Sequence, residues 1–155
     1  MDGSRRPGEG TIMNNTLGGA KTPWHLWVVG ILTLLWNSVG GFSYTMTRLG
    51  KLADLGMGEA EIAFFESSPV WANAFWALGV WGAIAGSLLL LFRSRWAVTA
   101  ILIAIVGLIG SNIWQYGIAD IPESLASPTM TLLIWATTLF MLYYAVRMRN
   151  DGVLK

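Results

Sequence analysis

No cysteine occurs in this chain, histidine occurs once (His25), and charged residues fill only 12% of its 155 positions. Without thiols there is no disulfide, no thiolate metal centre and no cysteine nucleophile, and the redox compartment stays undetermined. One imidazole gives too few donors for a haem or transition-metal site built by this chain alone, so neither metal nor cofactor is expected. No phosphate loop, nucleophile elbow or dinucleotide fingerprint is present. The segment 48–67 is the longest between apolar runs, which leaves no room for a soluble catalytic domain. The net charge of +1 implies nothing about acidic partners, and no nucleic-acid partner is expected. These gaps argue against an enzyme.

The most telling absence is local. Asp, Glu, Lys and Arg are missing from four runs, 23–47, 69–92, 96–118 and 128–146. At about 1.5 Å rise per residue, each run as a helix crosses a hydrocarbon layer of about 30 Å. Backbone in lipid must satisfy its own hydrogen bonds, so such runs are helices. The predicted fold class is all-α: an integral membrane four-helix bundle with a short interfacial helix in its first outer loop. Residues 1–21 read as a disordered tail, 22–147 as the transmembrane domain and 148–155 as a second tail. Thr22-Pro23, Ser68-Pro69 and Ser127-Pro128 suggest hydroxyl N-caps followed by proline at the first helical position.

Charge sorts by side. Arg5, Arg6, Lys21, Arg93, Arg95, Arg147, Arg149 and Lys155 fall on one face of a four-span arrangement, and only Arg48 and Lys51 on the other. The positive-inside rule then puts both termini in the cytoplasm. Trp24, Trp27, Trp71, Trp96, Trp114, Tyr116, Tyr143 and Tyr144 read as interfacial aromatics, while Trp36, Trp76, Trp81 and Trp135 lie deeper and each needs a partner for its indole N–H. His25, between two tryptophans, reads as an anchor. Ser38-Val39-Gly40 after the basic N-terminal region mimics a signal-peptide cleavage site. The apolar run continues through Phe42 to Met46, so cleavage is not expected. Residues 59–66 mix acids with Ile62, Phe64 and Phe65, as a short helix at the membrane surface would. Pro122 marks a turn in the third loop.

Small residues recur at helical spacing. Gly30, Thr33, Asn37, Gly40, Gly41 and Tyr44 share one face of the first span. Ala72, Gly79, Ala83 and Gly86 do so in the second span, and Ala100, Ala104, Gly107 and Ser111 in the third. Lipid gives no hydrophobic drive between helices, so such stripes let backbones touch. Gly41, Gly79, Ala83, Gly86, Ala104 and Gly107 are therefore the expected packing positions. Polar side chains gather in the outer half: Tyr44 ends the first span, Asn73 opens the second, and Asn112, Gln115 and Tyr116 close the third, with Asn37 near mid-membrane. Two readings fit them. One is interhelical hydrogen bonding, each bond contributing about 0.5–2 kcal/mol. The other is an outward-facing cavity lined by amides and indoles for a polar, uncharged ligand. No Asp, Glu, Lys or Arg lies inside a span, and His25 sits at the edge of the first, which argues against a proton-driven pump.

The run W-N-S-V-G-G-F-S-Y-T-M-T (36–47), followed by S-P-V-W-A-N-A-F-W-A-L-G-V-W-G-A-I-A-G-S-L-L-L-L (68–91), resembles a family of small four-span bacterial inner-membrane proteins often labelled sugar transporters. The resemblance covers about residues 22–118. Members often carry an acid just before the tyrosine of the first motif; Ser43 stands there in this chain. The resemblance implies a bacterial inner (plasma) membrane and, for a sugar, contacts from Asn37, Tyr44, Trp71, Asn73 and Trp76. With Asn112 and Gln115 these form the candidate ligand set. The leading functional expectation is a non-enzymatic multi-pass protein that associates with itself or with other membrane subunits. The alternative is a facilitator or binding protein for a small neutral solute such as a sugar.

Overall fold

The computed structural model describes residues 21–155. All but the last residue of the expected N-terminal tail, 1–21, lies outside the described residues. The chain forms α1 (Trp24–Arg48), a short 3₁₀ turn (Ala53–Leu55), α2 (Glu59–Glu66), α3 (Val70–Leu91), α4 (Trp96–Gly117) and α5 (Pro128–Asn150). The four long helices have 25, 22, 22 and 23 residues and are apolar enough to cross a membrane. At 1.5 Å per residue they measure about 33–38 Å. Their outward faces carry large apolar side chains at mid-helix, among them Leu35 (62% exposed), Trp81 (51%) and Val106 (53%). A bundle that exposes such side chains at the middle of its helices is built for lipid rather than water. The protein is a multi-pass membrane protein with an all-α bundle.

The helix starts differ in part from the sequence expectation. Ser127 caps α5, its hydroxyl accepting from the Met130 N–H at 3.3 Å, and Pro128 is the first helical residue. At α1 and α3 the proline is itself the cap residue. Pro23 and Pro69 adopt extended backbone, and neither Thr22 nor Ser68 caps through its side chain. Proline's fixed φ suits an extended cap residue as well as a first helical turn. Three helix ends share one geometry, with the chain turning back through a left-handed residue. After α1 and α5 that residue is glycine, Gly50 (φ +67) and Gly152 (φ +70), but after α3 it is Arg93 (φ +59). A non-glycine residue there costs on the order of 1 kcal/mol and needs outside support. Support comes from the C-terminal segment: the Lys155 N–H donates to the Arg93 carbonyl at 2.8 Å, and the Arg95 N–H to the Lys155 carbonyl at 3.0 Å. Helix α5 runs past the end of the apolar run at 146 to Asn150, and Val153 and Leu154 beyond it are buried.

The bundle is an open row. Helices α3 and α4 share the largest interface, α1 packs on α3, and α5 packs on α4 less extensively. The row closes into a ring only near the termini. There Leu26, Leu90, Ala97, Val98, Ile101, Met141, Tyr144, Ala145 and Met148 form one buried cluster with the tail residues Val153 and Leu154. At the distal end a smaller cluster joins Phe64 of α2 to Ala72 of α3 and Trp114 of α4.

Candidate functional site: a distal cavity between the long helices

Small residues set the distances between helices. Gly79 and Gly107 meet backbone to backbone, and a Cβ on Gly82 would lie 3.0 Å from the Ala104 nitrogen. Gly86 receives Ile101, and Gly41 receives the tip of the Ile84 side chain. Ala83 and Ala104 are 8% and 2% exposed in the same seams. The glycine–alanine stripes of α3 and α4 are thus spent inside the chain. Dispersion across touching backbones is the main attraction available between helices in lipid.

At mid-bundle, Asn37 ties three helices together. Its amide donates to Ser87 Oγ at 3.1 Å, to the Ala83 carbonyl at 3.4 Å and to Met141 Sδ at 3.4 Å. Ser87 is fully buried and its hydroxyl donates to the Ala83 carbonyl at 3.0 Å. This knot is the floor of a cavity of about 400 Å³ that extends towards the distal end. Helix α1 contributes Trp36, Asn37, Gly40 and Ser43, and α3 contributes Trp76, Gly79 and Ala83. Ser111, Asn112, Gln115 and Tyr116 come from α4, and Thr131, Ile134 and Thr138 from α5. The distal wall is pinned where the Tyr116 and Thr131 hydroxyls meet at 2.6 Å.

Four of the seven sequence-predicted ligand residues line this cavity: Asn37, Trp76, Asn112 and Gln115. The other three lie elsewhere. Tyr44 packs edge-on against Trp76 (centroids 5.0 Å apart), while Phe65 of α2 stacks on the same indole at 5.4 Å. Tyr44 therefore orients a lining residue from outside the cavity. Trp71 is 40% exposed and packs edge-to-face with Phe75. Asn73 turns back to the backbone just before its own helix, donating to the Ser68 carbonyl at 3.0 Å. The sequence reading drew nothing from α5, yet Thr131 and Thr138, seven residues apart and so on one helix face, both reach the cavity.

The lining carries no carboxylate, amine, guanidinium or imidazole. Its polar groups differ in how far they are already engaged. Asn112 donates to the Leu108 carbonyl at 2.8 Å and Thr138 to the Ile134 carbonyl at 2.7 Å, both within their own helices. Ser111 Oγ is the one buried side-chain oxygen or nitrogen left unpartnered among the described residues. Such a group costs about 1–3 kcal/mol while it stays unpaired. The distal end is braced by α2 through Phe64 on Trp114 (4.9 Å) and through Glu61. The Ser124 hydroxyl, and then the Gly58 N–H at 2.7 Å, hold the Glu61 carboxyl below its ordinary pKa. Among the described residues no cluster of His, Asp and Glu is arranged to hold a metal ion. No family model matches the chain, and no curated protein or solved structure is found to be similar to it.

Proposed function

We propose that this protein is a non-enzymatic receptacle for a small uncharged solute, a sugar being the leading class, held in the distal cavity. The observation that carries the reading is the lining: a mainly apolar enclosure of about 400 Å³ set with amides and hydroxyls and with no charged group. That volume lies within the range of about 300–1,000 Å³ usual for small-molecule sites. Ser111 supplies an unsatisfied hydroxyl, Gln115 and Asn112 supply amides, and Trp36 supplies apolar surface for a ring. The resemblance to four-span proteins labelled sugar transporters points the same way. The resemblance points to a bacterial inner membrane, and the charge asymmetry supports both termini in the cytoplasm, so that the cavity lies in the outer leaflet. The apolar cluster at the termini interrupts any path across, and a facilitator would have to part α5 from α1 there.

The test is equilibrium binding of a panel of uncharged radiolabelled sugars to the purified protein in nanodiscs. Gly40 lines the cavity and a Cβ there meets nothing nearer than Val80 Cγ2 at 3.8 Å, so Gly40→Leu fills the space without a backbone clash. Binding is expected in the wild type, absent in Gly40→Leu, and roughly ten-fold weaker in Gln115→Leu, which removes one hydrogen-bonding group. No binding by the wild type, or equal binding by Gly40→Leu, removes the proposal.

A second reading rests on Trp81. It stands near the middle of α3, half exposed towards lipid with Leu78 and Leu88 on the same face, and its indole N–H has no partner among the described residues. An unsatisfied N–H in hydrocarbon is costly, and a second copy or another membrane subunit on this face would relieve it. The chain is free of cysteine, so Trp81→Cys in native membranes reports directly: a discrete crosslinked species supports the reading, and an exclusively monomeric pattern removes it.

A further inference from the structure

A second cavity, of about 600 Å³, lies on the opposite stretch of the α1–α5 seam, where α1 begins and α5 ends. We propose that it is a binding site for an anionic phospholipid, with the phosphate at its mouth and an acyl chain along the seam. The mouth is set by Lys21, His25, Tyr143 and Arg147, with Asp151 as the single acid. Lys21 lies three residues before α1 and Arg147 three residues before the end of α5, which puts both cations at the membrane boundary where headgroups sit.

The Arg147 guanidinium is under-used by the protein. Its Nε lies 3.9 Å from Asp151 and its Nη1 3.5 Å from the Tyr143 hydroxyl, both at the outer limit of contact. A guanidinium offers five donors in a fork suited to phosphate, and these two long contacts leave most of them free. His25 engages the Tyr144 hydroxyl through Nδ1, and its Nε2 has no partner among the described residues. Seven residues deeper along α5, about 10 Å by helix rise, the floor becomes Phe140, faced by Val29 of α1. A cationic mouth above an apolar slot matches an amphiphile and not a free soluble anion. The surroundings reinforce the choice. Among the described residues this end carries Lys21, Arg93, Arg95, Arg147, Arg149 and Lys155 against Asp151 alone, whereas the distal end carries Arg48 and Lys51 against six acids.

The experiment is native mass spectrometry of the full chain in a neutral detergent, titrated with phosphatidylglycerol or phosphatidylcholine of equal chain length. Phosphatidylglycerol adducts should persist at lower lipid concentration than phosphatidylcholine adducts. The double variant Lys21→Gln, Arg147→Gln should weaken them about thirty-fold, or five- to six-fold for each cation removed. Arg147→Lys should keep part of the affinity, and the distal double variant Arg48→Gln, Lys51→Gln should leave it unchanged. Circular dichroism of each variant establishes that helix content is retained. Equal retention of the two lipids by the wild type overturns the proposal, whether the groove stays empty or another part of the chain fills it. So does an undiminished phosphatidylglycerol adduct in Lys21→Gln, Arg147→Gln. Displacement by millimolar inorganic phosphate overturns the lipid assignment in favour of a free anion.

Discussion

The same four long helices end in two unlike ways. Near the termini they close on a dry core in which Leu26, Leu90, Ala97, Ile101 and Ala145 have no exposed surface, sealed by Val153 and Leu154 from the tail. At the distal end they leave about 400 Å³ open between them. Backbone regularity does not distinguish the two ends, since every long helix is continuous. Side-chain size and polarity do. Near the termini, Leu26, Ile101, Met141 and Met148 fill the space between α1, α4 and α5. Distally, the glycines and alanines draw α3 onto α4 while α5 contributes threonines and stays at the distance set by Tyr116 and Thr131. Between the helices one half of the bundle is filled and the other left open, while the groove near the termini lies beside that filled core on the α1–α5 seam.

The sharpest way to break this contrast is at the α3–α4 contact that both halves share. Gly107→Leu places a side chain where the Gly79 backbone already lies, so neither helix can give way locally. A loss of about 3 kcal/mol or more is expected, read as a lower midpoint in detergent unfolding; an unchanged midpoint would mean that the helices do not touch there. Asn37→Leu comes next. It removes the tie to Ser87 and Met141 at the boundary between the halves, and a loss of about 0.5–2 kcal/mol is expected. A double-mutant cycle with Ser87→Ala isolates that interaction, and strict additivity would show that it contributes nothing.

At the closed end, Arg93→Gly relieves the left-handed arginine but gives up its Nε contact to the Val153 carbonyl at 3.4 Å. A net gain of up to about 1 kcal/mol is expected, and a clear loss would show that the tail contact outweighs the backbone strain. The smallest effect belongs to Glu61. Its carboxyl pKa is lowered in the fold, so its contribution is fully present above the ordinary carboxylate pKa and fades as pH falls through the folded value. Hydrogen-exchange protection of the α2 amides, corrected for the intrinsic pH dependence of exchange, should fall over that acidic window in the wild type and stay flat in Glu61→Gln. Identical profiles would leave Glu61 without a role in bracing the distal end.

Much of this was legible in the residues. The charge-free runs gave the four long helices, the acids among Ile62, Phe64 and Phe65 gave α2, and small residues at helical spacing marked faces that lie in the α1–α3 and α3–α4 seams. The candidate site was legible only in part, because its residues were chosen by depth and not by helix face. Trp71 lies about 140° around α3 from Trp76 at 100° per residue, so the two cannot share a cavity. Asn73 is nearer in angle, but the carbonyls of Ser68 and Pro69, just before the helix, claim its amide. The part played by α5 was hidden because threonine gives a weak polar signal, and Thr138 returns its hydroxyl to its own helix. The left-handed arginine was hidden as well, since glycine is the usual mark of such a turn and Arg93 offers none.

The absence of native cysteine makes the central contrast directly measurable, because every introduced thiol reports alone. Ser43→Cys places a thiol in the distal cavity, and Ala97→Cys places one in the core near the termini. In sealed membrane vesicles of each orientation, a membrane-impermeant maleimide should label Ser43→Cys from the face opposite the termini and leave Ala97→Cys unlabelled from either face. Equal labelling of the two sites, or labelling of Ala97→Cys alone, would contradict the account.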